Sequence, residues 1–144
     1  MVGSCKKVED DTLRQYNSQL SSDDITIRNF LSIQEIPAIR TESGVYYQIL
    51  QEGEGEILEK WKNPKITVIY TGRFLDGRVF ADSKEKEEML GKEILGWQIG
   101  LKYINKGGKI RLIIPSGLAY GSDGGGIVPS NTILDYDIEL VNIK

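Results

Sequence analysis

The sequence predicts an α+β domain: an antiparallel sheet of about five strands wrapped on one short helix. Three observations carry this. In the last strand Leu134, Tyr136, Ile138 and Leu140 alternate with Asp135, Asp137, Glu139 and Val141, the period-2 pattern of a strand with one core face and one mostly wet face. Residues 91–121 hold a short amphipathic helix, because Ile94, Trp97, Leu101 and Ile104 recur at helical spacing and share one face. Asp76-Gly77 stands between two strand-like runs as a tight-turn signal.

The remaining elements follow in chain order. Residues 6–22 are polar with little periodicity and read as a tether. Ser22, Asp23 or Asp24 then caps a short helix over residues 25–34, with Ile27, Phe30, Leu31 and Gln34 on its inner face and Pro37 beyond its end. Residues 44–50 read as a strand with Val45, Tyr47 and Ile49 on one side. Residues 51–59, acidic and glycine-containing, read as a loop. Residues 65–71 form a second strand facing Ile66, Val68 and Tyr70 inward; the chain turns at Asp76-Gly77 and returns through Val79-Phe80. The charge run over residues 82–88 reads as a solvated loop or flap. Gly107-Gly108 supplies a left-handed helix end, and residues 109–114 alternate again, with Ile110, Leu112 and Ile114 on one side, until Pro115 removes a ladder donor. Residues 121–130 contain three consecutive glycines, but no Gly-Lys-Ser/Thr follows, so a phosphate loop is excluded. A hairpin loop with an apolar tip at Ile127-Val128-Pro129 fits better.

Composition narrows the chemistry. The 144 residues suit one domain with one core. A formal charge of −3 argues against a general nucleic-acid binder. Histidine is absent, which removes imidazole acid–base catalysis and His metal ligands. The single cysteine, Cys5, excludes an internal disulfide or a thiolate zinc site, and no metal, nucleotide or other cofactor is expected. Cys5 follows Val2-Gly3-Ser4 and precedes Lys6-Lys7. That stretch resembles the end of a bacterial lipoprotein signal; an incidental exposed cysteine is the alternative. The expected division is residues 1–22 as lipobox remnant and flexible tether, 23–43 as short helix and linker, and 44–144 as the folded domain.

The ordered set Tyr70-Thr71-Gly72, Asp76-Gly77-Arg78-Val79-Phe80, Gly96-Trp97, Ala119-Tyr120-Gly121, Ile127-Val128-Pro129 and Asp137-Ile138-Glu139-Leu140 resembles the FKBP-type peptidyl-prolyl isomerases, especially their single-domain bacterial lipoprotein members. The resemblance implies a sheet half-wrapped around one short helix, with an aromatic cleft between them. Carried onto this chain, it implies that Tyr70, Phe80, Asp82, Ile94, Trp97, Tyr120 and Tyr136 form the catalytic cleft and that Ile127 and Val128 contact substrate. Trp97 would be its floor, and Tyr136 stands where the family usually has Phe. Tyr120 would donate its hydroxyl, and Ile94 its backbone amide, to ligand carbonyls. On pattern alone Trp97, Tyr136, Tyr70 and Phe80 also suit a plain core, whereas Tyr120 lies in a turn, where binding is the better reading.

The chain departs from the family pattern in four places. Ala81 separates Phe80 from Asp82, where the family has Phe-Asp adjacent, so Asp82 reaches the cleft only if a bulge absorbs the extra residue. The connection 84–89 is short and lacks an apolar cleft wall. Glu93 occupies a usually apolar position, and the loop 122–126 is short. The implied function is prolyl isomerisation that assists protein folding. The implied partners are proline-containing polypeptides, and macrolide inhibitors of the cleft. A non-catalytic peptide-binding or chaperone module using the same cleft or loop tips is the alternative. The chain reads as a monomer with no nucleic-acid partner, facing the periplasm in the bacterial cell envelope and meeting the membrane only through a lipid on Cys5. A cytoplasmic location is the alternative.

Overall fold

A computed structural model describes residues 11–144 in full and, of residues 2–10, only the helical backbone. Cys5 and the lipidation expected there lie outside the described side chains. The elements are α1 (Val2–Ile33), β1 (Ile39–Arg40), β2 (Tyr46–Gln51), β3 (Lys65–Arg73), β4 (Val79–Met89), α2 (Leu95–Gly100), β5 (Lys109–Ile114) and β6 (Leu134–Ile143). Single 3-10 turns at Leu101–Tyr103 and Ser116–Leu118 extend α2 and follow β5. All strand pairs are antiparallel, in the order β1-β2-β5-β6-β3-β4. The sheet therefore has six strands rather than about five, the sixth being the two-residue β1, too short to leave a periodic pattern.

One face of the sheet carries the main core. Ile66 and Val68 of β3, Ile110, Leu112 and Ile114 of β5, and Leu134, Tyr136, Ile138 and Leu140 of β6 pack on it against Trp97, Leu101 and Ile104. This is the helix face the spacing predicted. The approach is close: a Cβ on Gly96 would lie 2.4 Å from Ile114 Cγ2, so only glycine lets α2 sit this near β5. Gly107, at φ +91°, turns the chain back into β5.

The N-terminal region corrects the tether. Residues 11–22 are helical, continuous with the segment read as a separate short helix. Leu13, Arg14, Gln15, Gln19 and Leu20 are good helix formers even without an apolar stripe, and the exposure of this stretch explains why no stripe is visible. Among the described residues, its buried apolar side chains fall in its C-terminal half. Ile27 and Leu31 pack with Tyr46, Ile113 and Ile133 on the sheet face opposite the main core. That face, expected to be mostly wet, is thus partly covered.

The charge run over 82–88 is likewise not a loop. It is the middle of β4, an edge strand paired only with β3. Charged side chains on an exposed edge discourage pairing with another chain, so the composition that suggests a flap is equally that of a protected edge.

Candidate active site

Four aromatic rings converge between the sheet and α2. Trp97 lies edge-on to Tyr70 (ring centroids 4.9 Å) and to Tyr136 (5.3 Å). Phe80 meets Tyr136 edge-on at 5.7 Å, and Phe74 stacks on Phe80 at 5.0 Å. Edge-to-face contacts of this kind favour a fixed box over a loosely filled core. Tyr70 and Tyr136 come from inward positions of neighbouring strands, and Gly72 between the rings leaves them room. Trp97 is buried on the first turn of α2, so it floors the box.

The polar groups lie around this floor. Tyr120 follows the 3-10 turn after β5, is 40% exposed, and its ring covers Gly125. It lies beside the Tyr136 hydroxyl; burial first, and then Tyr120 and Tyr70, push the Tyr136 phenol far above its ordinary range. Tyr136 therefore stays neutral. The Ile94 carbonyl accepts from the Trp97 and Gln98 amides, while its own N–H meets no backbone acceptor among the described residues, leaving a donor at the start of α2. Ile127 is exposed (68%), as a loop-tip contact should be, but Val128 is buried (5%) in the main core. The expected two-residue tip is therefore Ile127, with Val128 anchoring it.

Asp82 does not join the cleft. The bulge invoked for it exists, since Gly72 pairs with Ala81 while Arg73 pairs with Val79. It puts the extra residue at Phe80, so Ala81 takes the inward place opposite Gly72. Asp82 pairs with Thr71 on the other face, accepts the Thr71 hydroxyl at 3.2 Å, and is exposed. The cleft has no carboxylate there.

A different acid stands at the cleft. Glu93, just before Ile94, is largely buried and faces Lys86 of β4 at 3.6 Å. Lys86 Nζ also lies 5.8 Å from the centre of the Tyr70 ring. Burial, only partly offset by Lys86, raises the Glu93 pKa. Burial opposes the Lys86 charge most strongly, but Glu93, Tyr70 and Glu88 together outweigh it and raise that pKa too. This pair stands where the sequence left the wall open. Phe74 and Lys86 are the residues that sequence reasoning missed. Phe74 was hidden in the turn segment, and Lys86 faces inward only because a second bulge, between Ser83 and Lys86, shifts the register of β4. A separate groove of about 920 Å³ lies between α1 and the loop that carries Tyr120, lined by Tyr16, Gln19, Gly117 and Asn131 among others. It has none of the converging rings. Among the described residues no cluster of acids or cysteine could hold a metal, and no helix is long and apolar enough to cross a membrane.

This fold and aromatic box define a class. The sequence profile of the FKBP-type peptidyl-prolyl cis-trans isomerases matches residues 59–141, and the chain belongs to that family. Among its relatives, FkpA of Buchnera aphidicola subsp. Schizaphis graminum is 50% identical over 109 residues, 73% of this chain and 43% of the relative. FkpA of Escherichia coli K12 is 40% identical over 111 residues, 74% and 40% of the two chains. The chain thus spans less than half the length of these two curated relatives. The E. coli FkpA crystal structure superposes with a TM-score of 0.73 at 29% identity, over 98% of this chain and 70% of that one. A peptidyl-prolyl cis-trans isomerase from Pseudomonas syringae pv. tomato superposes with a TM-score of 0.73 at 30% identity, over 89% and 95%.

Proposed function

We propose that this chain is a prolyl isomerase that speeds cis–trans exchange of X-Pro bonds in unfolded or partly folded polypeptides. The convergence of Trp97, Tyr70, Phe80 and Tyr136, with Tyr120 beside Tyr136, carries the reading. An X-Pro bond exchanges only in tens to hundreds of seconds because rotation breaks amide resonance. A catalyst need only bind the twisted amide better than either planar form. Twisting reduces charge separation across the C–N bond, so a box of rings favours the twisted form over water. In this reading the rings hold the proline, and Tyr120 and the Ile94 N–H fix the flanking carbonyls. Family membership and the FkpA relatives support it. The same relatives support a bacterial envelope location, where lipidation of Cys5 would be read from the mass of the cell-derived protein. Macrolides that mimic a twisted prolyl amide would compete for the box.

A peptide-binding module using the same cleft is the second reading, favoured by the outward Asp82 and the inward Ala81. A protease-coupled isomerisation assay separates the two. Wild type accelerates the exchange, and Tyr120→Phe lowers kcat/KM about tenfold, the value of one hydrogen bond strengthened in the transition state. Asp82→Ala changes it less than about twofold, as for a surface substitution remote from the reaction. No acceleration by folded protein that still binds proline peptides would establish the binding module instead.

A further inference from the structure

Helix α1 lies outside the family profile, yet it reaches the turn that carries Tyr120. Asp23 is 4% exposed. Its Oδ2 accepts the Ser116 hydroxyl at 2.6 Å and the Ser116 amide at 2.9 Å, and its Oδ1 accepts Gln19 Nε2 at 2.8 Å. Both oxygens are thus committed, one to α1 itself and one to the turn. Ser116 is in turn the anchor of the Tyr120 loop. Its carbonyl accepts the amides on both sides of Tyr120, from Ala119 at 3.1 Å and Gly121 at 2.8 Å. Two turns further back along α1, Tyr16 packs on Gly117, so tightly that a Cβ there would lie 2.5 Å from its ring. Between Asp23 and the backbone around Tyr120 there is therefore one residue and no slack.

We propose that Asp23 is a positioning residue for the cleft: through Ser116, helix α1 holds Tyr120 in register with the aromatic box. The inference rests on the reading of Tyr120 as the working hydroxyl. A carboxylate accepting two hydrogen bonds at one oxygen is a directional peg, and a small displacement of a positioned group is costly in rate. A helix that only covered apolar surface would not require a buried charge against this turn. Ile27 and Leu31, which do cover apolar surface, sit further along the helix on Tyr46, Ile113 and Ile133. The peg and the apolar dock are thus separate devices, and they can be tested separately.

The test compares Asp23→Ala, Ser116→Ala and Ile27→Val in the full chain. Ile27→Val thins the apolar dock without touching the peg, and Ser116→Ala removes one of the two bonds if Asp23→Ala fails to fold. Expected is a fall in kcat/KM of about tenfold for Asp23→Ala, within the range for a misplaced group, a smaller fall for Ser116→Ala, and none for Ile27→Val. Asp23→Ala combined with Tyr120→Phe is then no slower than Tyr120→Phe alone, because both act through one hydroxyl. Additive losses, or an equal loss with Ile27→Val, overturn the proposal by showing a merely structural role. Amide NMR spectra read the coupling without activity: Asp23→Ala shifts Ala119, Tyr120 and Gly121 and leaves Gly72 and Leu95 in place. Unmoved amides around Tyr120 overturn the proposal even where the wild type is active. Moved amides in a wild type that isomerises nothing keep the positioning and refute the isomerase reading alone.

Discussion

At the scale of single residues, the cleft depends as much on what is missing as on what is present. A methyl on Gly72 would lie 2.7 Å from Phe80 Cζ and 2.8 Å from Tyr136 Cε1. Gly72→Ala must therefore push two rings of the box apart, and overpacking of this kind costs about 1–3 kcal/mol. Denaturant unfolding should show that loss together with weaker proline-peptide binding. Loss of stability with unchanged binding would mean the rings recover their places. Lys86 tests the opposite case. Lys86→Met leaves Glu93 buried without its partner, so the Glu93 pKa, already raised by burial, rises further. A raised carboxyl pKa gives stability that is full below the ordinary carboxylate range and lost as pH rises through the folded value. The variant should thus lose most against wild type at neutral pH and approach it in acid, in unfolding titrations at each pH. Much of this site was legible from the chain. Tyr70, Trp97 and Tyr136 fall at inward positions of a strand, a helix and a strand, and period alone puts them on one core. Asp82 was not legible, because one bulge at Phe80 reverses which of Ala81 and Asp82 faces inward, and bulges leave no mark in composition.

At the scale of elements, α1 is the part the sequence concealed. Its exposed half has no apolar stripe to show a period, and its docked half offers few apolar contacts, chiefly Ile27 and Leu31. Polar contacts complete the docking, and a linear pattern cannot reveal them. Besides the Asp23 peg, Asp24 accepts Arg40 Nε at 3.0 Å and the Tyr46 hydroxyl at 2.8 Å, joining α1 to β1 and β2. Burial alone would raise the Asp24 carboxyl, but the bonds from Arg40 and Tyr46 outweigh it and hold its pKa below the ordinary value. A depressed carboxyl gives stability that is present above the unfolded pKa, about 3.9 for Asp, and lost as pH falls through the folded one. Asp24→Asn should cost about 1 kcal/mol at neutral pH, the typical net value of one intramolecular hydrogen bond. The gap to wild type should close as both are taken into acid. A gap that stays constant with pH would show that the neutral acid holds Arg40 and Tyr46 equally well. β4 makes the same point about patterns: alternating charges on an edge strand and in a solvated flap look alike in a linear sequence, and only the pairing with β3 separates them.

At the scale of the whole molecule, one sheet serves two layers. β5 sends Ile110, Leu112 and Ile114 into the main core with Trp97, and Ile113 into the smaller one with Ile27 and Leu31. Neither layer can be lost without stripping a face of the same strand. The sheet and its inner core were legible because period 2 is unmistakable in β6 and β5. The second layer was not, because Tyr46, Ile113 and Ile133 stand at positions that look outward until a helix covers them. This shared strand makes a prediction about cooperativity. The two tryptophans, Trp61 and Trp97, both pack in the inner layer, so fluorescence follows that core. Far-UV circular dichroism follows helix, most of which is α1, since α2 spans only Leu95–Gly100. If the layers unfold as one, the two signals share a midpoint, the usual mark of two-state unfolding. Ile27→Ala, which removes a fully buried side chain at a cost of about 2–5 kcal/mol, then moves both midpoints together. If α1 instead undocks by itself, the dichroism transition comes first, and Ile27→Ala moves that transition while leaving the fluorescence midpoint in place. Coincidence is expected, because Asp23 and Ser116 tie the helix to the turn directly after β5, and that strand cannot leave the sheet without both layers.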